Sequence, residues 1–319
     1  MVDFALLLWA VIPPLLFLGY YYYRVTVAPP FQLLLWLFLV GAISGFVALG
    51  LQLVFETIAN GVVNWQQIQR GIFGATLRQL VAIAPIEEGC KLIAVIIPVS
   101  YLQRRYQLRS TSVFLFTIAV ALGFTAEENW IYLYHGTASI FDRVIGTPVH
   151  AMFSAPWGYA LGKYLSATYQ VNRYKNLFFR AWINSLIFHA LVNICSIAWR
   201  YSPPLQLLAY GLFPLLLWMF WRMEQLLRRV QNQQPIILIS GRTPQHRYWQ
   251  RGLLLFAIML GGNAIFGIFL LVRILSPLRP AKLFYPDILW FAVSRFLLNL
   301  VFGFLAGLIY WYLRYSARY

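Results

Sequence analysis

Nine apolar runs, each close to the length needed to cross a bilayer, constrain this chain more than any other feature. They occupy residues 4–23, 31–55, 72–102, 113–134, 144–169, 177–199, 205–221, 253–275 and 288–313. A hydrocarbon layer about 30 Å thick is spanned by about 20 apolar residues rising ~1.5 Å each. No aqueous core buries this much apolar sequence. Of 319 residues, 61% are hydrophobic and 11% charged, against about 25% charged in a soluble domain. The fold class that follows is all-α, a polytopic transmembrane helix bundle of about 8–9 spans. Without internal repeats or low-complexity tracts, the expectation is one membrane domain over 1–319. Its motif-bearing core covers about 72–200, between peripheral spans 1–56 and 205–319. The third run contains Pro85 and Pro98 and the fifth Pro148 and Pro156, so both are expected to kink or split.

The net charge of +16 does not signal nucleic acid, because the basic residues are scattered over short loops and form no dense tract. They are biased in the way that orients membrane proteins. One set of alternating loops carries sixteen, among them Arg24, Arg104, Lys163, Arg228, Arg242 and Arg318. The other carries six: Arg70, Arg143, Arg200, Arg273, Arg279 and Lys282. The bias predicts the N-terminus outside, the C-terminus in the cytoplasm, and a cytoplasmic 222–251 loop with a short apolar stretch, PIILIS. The first run has no basic flank or small-residue cleavage site and is expected to be a span. Cys90 and Cys195 lie in apolar runs, so a disulfide framework is not expected.

Against this background the ionisable residues inside the spans stand out. The nine acidic residues are Asp3, Glu56, Glu87, Glu88, Glu127, Glu128, Asp142, Glu224 and Asp287, and two adjacent pairs, Glu87-Glu88 and Glu127-Glu128, fall within runs. A charge near the bilayer centre costs at least about 2.5–3.5 kcal/mol, so partners are expected nearby. His150 and His189 also lie in runs. Helical spacing places Glu87 with Lys91, His189 with Asn193 and Glu128 with Tyr132, each pair four apart on one face. Glu88, turned about 100° from Glu87, meets different surroundings, and opposed surroundings are how two carboxylates become an acid and a base. Counting residues along the spans puts Glu128 and His150 in the extracytoplasmic half and Glu87, Glu88 and His189 nearer the middle. One cavity opening outward can then hold them all. Each pair, taken alone, also reads as polar glue between helices.

Read in order, these residues form a pattern. Glu87-Glu88-Gly-Cys-Lys91 fits E-E-x-x-K, and Phe124 to Tyr132 fits F-x-x-x-E-N-x-x-Y through Glu128 and Asn129. His150 follows in a P-x-H context, then His189-x-x-x-Asn193. The set resembles the PrsW family of intramembrane proteases, in a superfamily with CAAX prenyl endopeptidases and bacteriocin-immunity-type proteins. The resemblance covers about Glu87 to Asn193. It implies a multi-pass protein of the bacterial plasma membrane that hydrolyses a peptide bond in a membrane-protein or peptide substrate within the bilayer. The best-known family member is associated with site-1-type cleavage of an anti-sigma factor, and the candidate substrate here is an anti-sigma-factor-like single-span protein. The implied site is Glu87, Glu88, Glu128, His150, His189 and Asn193, supported by Lys91, Asn129 and Tyr132.

Two mechanisms remain open at this level. In one, zinc is bound by His150, His189 and one or two of Glu87, Glu88 and Glu128, with a glutamate left as base. In the other no metal takes part: Glu87 or Glu88 activates water, His150 orients it, and His189 with Asn193 lines the oxyanion hole. A CAAX-type protease, a non-catalytic scaffold and an ion-coupled transporter are the rival classes. Lys91 and Glu128-Asn129 favour the PrsW branch. The sequence sets no oligomeric state.

Overall fold

In the computed structural model, residues 4–105, 108–167, 169, 171–241 and 243–317 are described. Asp3, Arg242 and Arg318, counted above among the charges, lie outside them. The described residues are helical with short connections and contain no strand. Among the described residues, seven helical segments are long and apolar enough to cross a membrane: Phe4–Tyr23, Phe31–Val62, Ser110–Tyr134, Val171–Arg200, Pro203–Val230, Pro244–Leu275 and Pro286–Ser316. The remaining two of the nine runs are the third and fifth, and both are interrupted, as expected, whereas the first run stays one helix despite Pro13 and Pro14.

After α1 (Phe4–Tyr23), α2 (Phe31–Val62) and a short α3 (Trp65–Ile68), the third run begins with another short helix, α4 (Ile72–Arg78). A π-helical turn over Gln79–Ile83 then leads into α5 (Ala84–Arg105). The N–H of Ala84 reaches the carbonyl of Gln79, five residues back. Pro85 has no N–H to continue the α-helical ladder, and the wider turn absorbs the mismatch just before the glutamate pair. Pro98 lies inside α5 without ending it. After α6 (Ser110–Tyr134), the fifth run splits into α7 (Ile140–Gly146) and α8 (Val149–Leu165) at Pro148. A capping box starts α7: Ser139 Oγ accepts from the Asp142 N–H at 3.1 Å, and Asp142 Oδ2 accepts from the Ser139 N–H at 3.4 Å.

Two compact units are present, Met1–Ile194 with Met223–Gln233, and Cys195–Arg222 with Gln234–Tyr319. In the first, α6 is the central helix, apolar nearly all round and buried along most of its length. It packs against α1, α2, α5 and α8. Small residues bring α2 and α6 to near backbone contact. A Cβ at Gly41 would lie 2.1 Å from the Val120 carbonyl oxygen, and one at Gly123 would lie 1.8 Å from that of Phe38. Lipid tails are as apolar as leucine, so close packing of this kind is what associates membrane helices. In the same unit the Arg24 guanidinium donates to both oxygens of Glu224, at 2.5 and 2.6 Å.

The second unit contains α12 (Pro244–Leu275) and α13 (Pro286–Ser316), paired along their length. Phe266 of α12 is ringed by Trp199, Tyr210 and Phe213. The expected 222–251 loop is shorter than its sequence suggested, because α9 (Val171–Ile197) and α10 (Pro203–Gln206) are followed by α11 (Leu212–Val230), and α12 starts at Pro244. PIILIS is non-helical, and the N–H groups of Ser240 and Gly241 donate to Gln250 Oε1 at 2.8 and 2.9 Å.

The α2–α6 contact makes a direct test. Gly123→Ala forces two backbones apart, and overpacking of this kind costs about 1–3 kcal/mol. Gly50→Ala, on the same α2, meets nothing within 4 Å and exchanges glycine for a better helix former. A melting temperature in detergent that falls for Gly123→Ala and holds or rises for Gly50→Ala is expected; equal falls would contradict the close approach.

Candidate active site

Three helices, α5, α8 and α9, converge on Glu88, and α6 closes the cluster with Phe124 and Glu128. The Glu88 side chain is fully buried. Its Oε1 accepts from Lys91 Nζ at 2.8 Å and from His189 Nδ1 at 3.2 Å. Its Oε2 accepts from Ser154 Oγ at 2.9 Å and Trp157 Nε1 at 3.0 Å. Four donors satisfy the carboxylate on both oxygens. Ser154 and Trp157 follow His150 on α8 by four and seven residues, so helical period alone aligns them.

Glu87 has the opposite surroundings. Its Oε1 accepts from Gln52 Nε2 of α2 at 3.1 Å. Its Oε2 is buried and has no hydrogen-bond partner. That oxygen lies 3.5 Å from His189 Nε2, and 3.9 Å from both His150 Nδ1 and Lys91 Nζ. Spacing pairs Lys91 with Glu87, four residues back, and the two lie 3.9 Å apart; the closer partner is Glu88, three residues back, at 2.8 Å.

Lys91 is itself fully buried. Besides Glu88 it touches His150 Nδ1 at 2.8 Å, and it lies 4.1 Å from the centre of the Phe124 ring. An ammonium only donates, so His150 Nδ1 accepts and Nε2 carries the ring proton. That proton goes to Glu128 Oε2, 2.8 Å away. The same logic on His189 gives Nδ1–H to Glu88 and leaves the Nε2 lone pair facing Glu87. The His189 ring is stacked on Phe153 with centroids 4.3 Å apart.

The structure thus brings together Glu87, Glu88, Lys91, Glu128, His150 and His189. Asn193 lies one turn beyond His189 and its Nδ2 donates to Gln79 Oε1 at 2.9 Å, which ties α9 to the π turn. Asn129 and Tyr132 meet Arg143 of α7: Arg143 Nε donates to Asn129 Oδ1 at 2.7 Å, and the guanidinium lies 4.5 Å from the centre of the Tyr132 ring. Arg143 Nη2 also donates to Glu128 Oε2 at 2.6 Å. Glu127 turns away from its neighbour toward α2, where a Cβ at Gly45 would meet its Oε2 at 2.3 Å.

Sequence reasoning missed Gln52, Ser154, Trp157 and Arg143. The four- and seven-residue spacing from His150 signalled Ser154 and Trp157. Arg143 entered only as a loop charge.

Among the described residues, Glu87, His150 and His189 form a group whose ligand atoms all lie within 4.8 Å of one another. The unpartnered Glu87 Oε2 and the His189 Nε2 lone pair suit a metal ion as they stand. An ion on His150 Nδ1 would take the lone pair now given to Lys91. The donors, two imidazoles and a carboxylate, are of the type zinc accepts, so the residues fit a metal.

The profile of a family described as PrsW family intramembrane metalloprotease matches residues 29–219. The chain belongs to the PrsW family. It is an intramembrane protease and an integral, multi-pass membrane protein, and membrane-embedded peptides are its class of substrate. No curated protein and no solved structure matches the chain. The matched region contains all of the cluster described above.

The two neighbouring glutamates of this PrsW protein should respond differently to truncation. Glu88→Ala strands the buried Lys91, and breaking a buried ion pair by removing one partner costs about 3–5 kcal/mol. Glu87→Ala removes one hydrogen bond. Thermal unfolding in detergent should therefore show a large loss for Glu88→Ala and a small one for Glu87→Ala; the reverse order would contradict the assignment.

Proposed function

We propose that the protein hydrolyses a peptide bond with a water activated by Glu87, whose Oε2 is, among the described residues, the one buried cluster oxygen without a hydrogen-bond partner. That observation carries the reading. A base needs a lone pair not already committed to the fold. Glu88 has committed both oxygens, and Glu128 is held by Arg143 and His150.

A water placed between Glu87 Oε2 and His189 Nε2 meets two acceptors at once, which aims its own lone pair at a substrate carbonyl. Glu87 takes the proton as the water oxygen bonds to the carbonyl carbon. The Lys91 ammonium, 3.9 Å from the same oxygen, is the nearest fixed cation for the charge that develops on the tetrahedral intermediate. When the C–N bond breaks, Glu87 returns the proton to the leaving amine. Asn193 serves by fixing the α9 face against Gln79. Zinc, when bound, would be held by His150, His189 and the Glu87 oxygen that otherwise acts as base, and would then itself polarise the carbonyl and acidify water.

The substrate we propose is a single-span membrane protein of the anti-sigma-factor kind, cut at its extracytoplasmic end in a bacterial plasma membrane. The loop-charge bias, with N-terminus outside and C-terminus cytoplasmic, supports that side.

Cleavage of such a substrate in liposomes tests the reading. Glu87→Gln keeps the shape of the side chain and is expected to lower kcat by about 10²–10⁴-fold at an unchanged melting temperature; cleavage at the wild-type rate would refute the assignment. Loss of wild-type activity on chelation, restored by zinc, assigns the ion to the triad. Activity indifferent to chelation assigns the water to Glu87 and His189 alone.

A further inference from the structure

Arg143 is the side chain whose contacts the hydrolytic reading leaves unexplained. It stands on α7, a short helix with no buried residue of its own, yet its guanidinium engages three side chains of α6 together. Nε donates to Asn129 Oδ1 at 2.7 Å, Nη2 donates to Glu128 Oε2 at 2.6 Å, and Cζ stands over the Tyr132 ring, 4.5 Å from its centre. Positions i, i+1 and i+4 of one helix therefore form a receptor for one arginine. This accounts physically for the E-N-x-x-Y spacing: a carboxylate and an amide oxygen for the fork, and a ring for its face. Lysine matches neither the fork nor the stacking.

The contact continues inward. Glu128 Oε2, fixed by Arg143, also receives the His150 Nε2 proton at 2.8 Å. With its proton directed there, His150 turns its Nδ1 lone pair toward Lys91 at 2.8 Å and toward Glu87 Oε2 at 3.9 Å. Without the arginine, nothing else described bonds to that Glu128 oxygen from outside the cluster, and the carboxylate loses the anchor that keeps it on His150.

We propose that Arg143 is a positioning residue of the peptidase site: by fixing Glu128 it holds the His150 ring, whose tautomer Lys91 sets, in the orientation that keeps Nδ1 toward Lys91 and Glu87. The inference rests on the hydrolytic reading of the Glu87, His150 and His189 cluster. The plainer role for Arg143 is a tether for α7, and the two roles separate experimentally. A tether acts through its covalent link to α7, so a free cation cannot replace it. A positioning cation can be replaced by guanidinium in solution.

The test measures kcat and KM for cleavage of a single-span substrate by wild type, Arg143→Ala, Arg143→Lys and Glu87→Gln, with and without guanidinium ion. Removing a residue that orients a functional histidine typically costs about 10–100-fold, so Arg143→Ala should lose about that much in kcat with KM little changed, and guanidinium should restore about tenfold of it. Arg143→Lys, which keeps the charge and not the fork, should fall between the two at the wild-type melting temperature. In a Glu128→Gln background Arg143→Ala should cost little more, since both changes break one chain of contacts. Wild-type kcat in Arg143→Ala, a loss confined to KM, or a loss that guanidinium fails to recover would overturn the positioning role. If the alanine variant does not fold, Arg143→Lys decides, and full kcat there overturns it. Inactive Glu87→Gln beside fully active Arg143→Ala removes this inference alone, whereas active Glu87→Gln removes the hydrolytic reading beneath it.

Discussion

The buried pair of Glu88 and Lys91 is the interaction on which the remainder of the site depends. Two charges in a low-dielectric interior cost several kcal/mol each unless their remaining donors and acceptors are met. Here they are met by side chains from three helices: His189 of α9, Ser154 and Trp157 of α8, and, through Lys91, His150 of α8 and the Phe124 ring of α6. Satisfying one ion pair therefore fixes where α8 and α9 stand relative to α5. It also sets the tautomers of both histidines. Glu87, one residue earlier and turned out of this network, is left with a bare oxygen against two imidazoles. One motif thus yields a structural carboxylate and a reactive one from adjacent residues.

The two broken runs place this pair of roles. Irregular backbone at membrane depth persists where protein or a cavity shelters it, and both interruptions adjoin the cluster. The π turn at Gln79–Ile83 precedes the glutamates by a turn and is held from α9 through Asn193 and Gln79. The break at Pro148 lets α7 run separately from α8, so that Arg143 approaches Glu128 from one side while His150 approaches from the other. An uninterrupted helix through residues 140–165 would put Arg143 and His150 seven residues apart on one face, with no carboxylate between them.

Much of this was legible in the sequence. The spans follow from apolar run length, and the third and fifth runs were marked for distortion. Glu87, Glu88, Glu128, His150 and His189 were selected because an ionisable group in an apolar run needs partners, and the fold brings these five to one place. The division of labour between Glu87 and Glu88 was not legible. Helical geometry says that neighbours face about 100° apart, and it does not say which direction holds Ser154 and Trp157. Lys91 was assigned by i,i+4 spacing when its closer contact is i,i+3, since a long flexible side chain reaches either. Arg143 escaped because a basic residue between two spans looks like a topology signal until the fold of α7 turns it inward. Ligand choice among Glu87, Glu88 and Glu128 likewise depends on which oxygens the packing leaves unbonded, a property of three dimensions.

The central claim is that the reacting water stands between Glu87 and His189, with Glu88 serving as scaffold. An experimental structure with a phosphinic peptide, whose tetrahedral oxygens mimic the hydrated carbonyl, tests it most directly. The account predicts one phosphinyl oxygen within hydrogen-bonding distance of Glu87 Oε2, beside His189, directly or through a zinc held by Glu87, His150 and His189, with all four donors still on Glu88. A phosphinyl group bound at Glu88 or Glu128, with Glu87 out of reach, would contradict it.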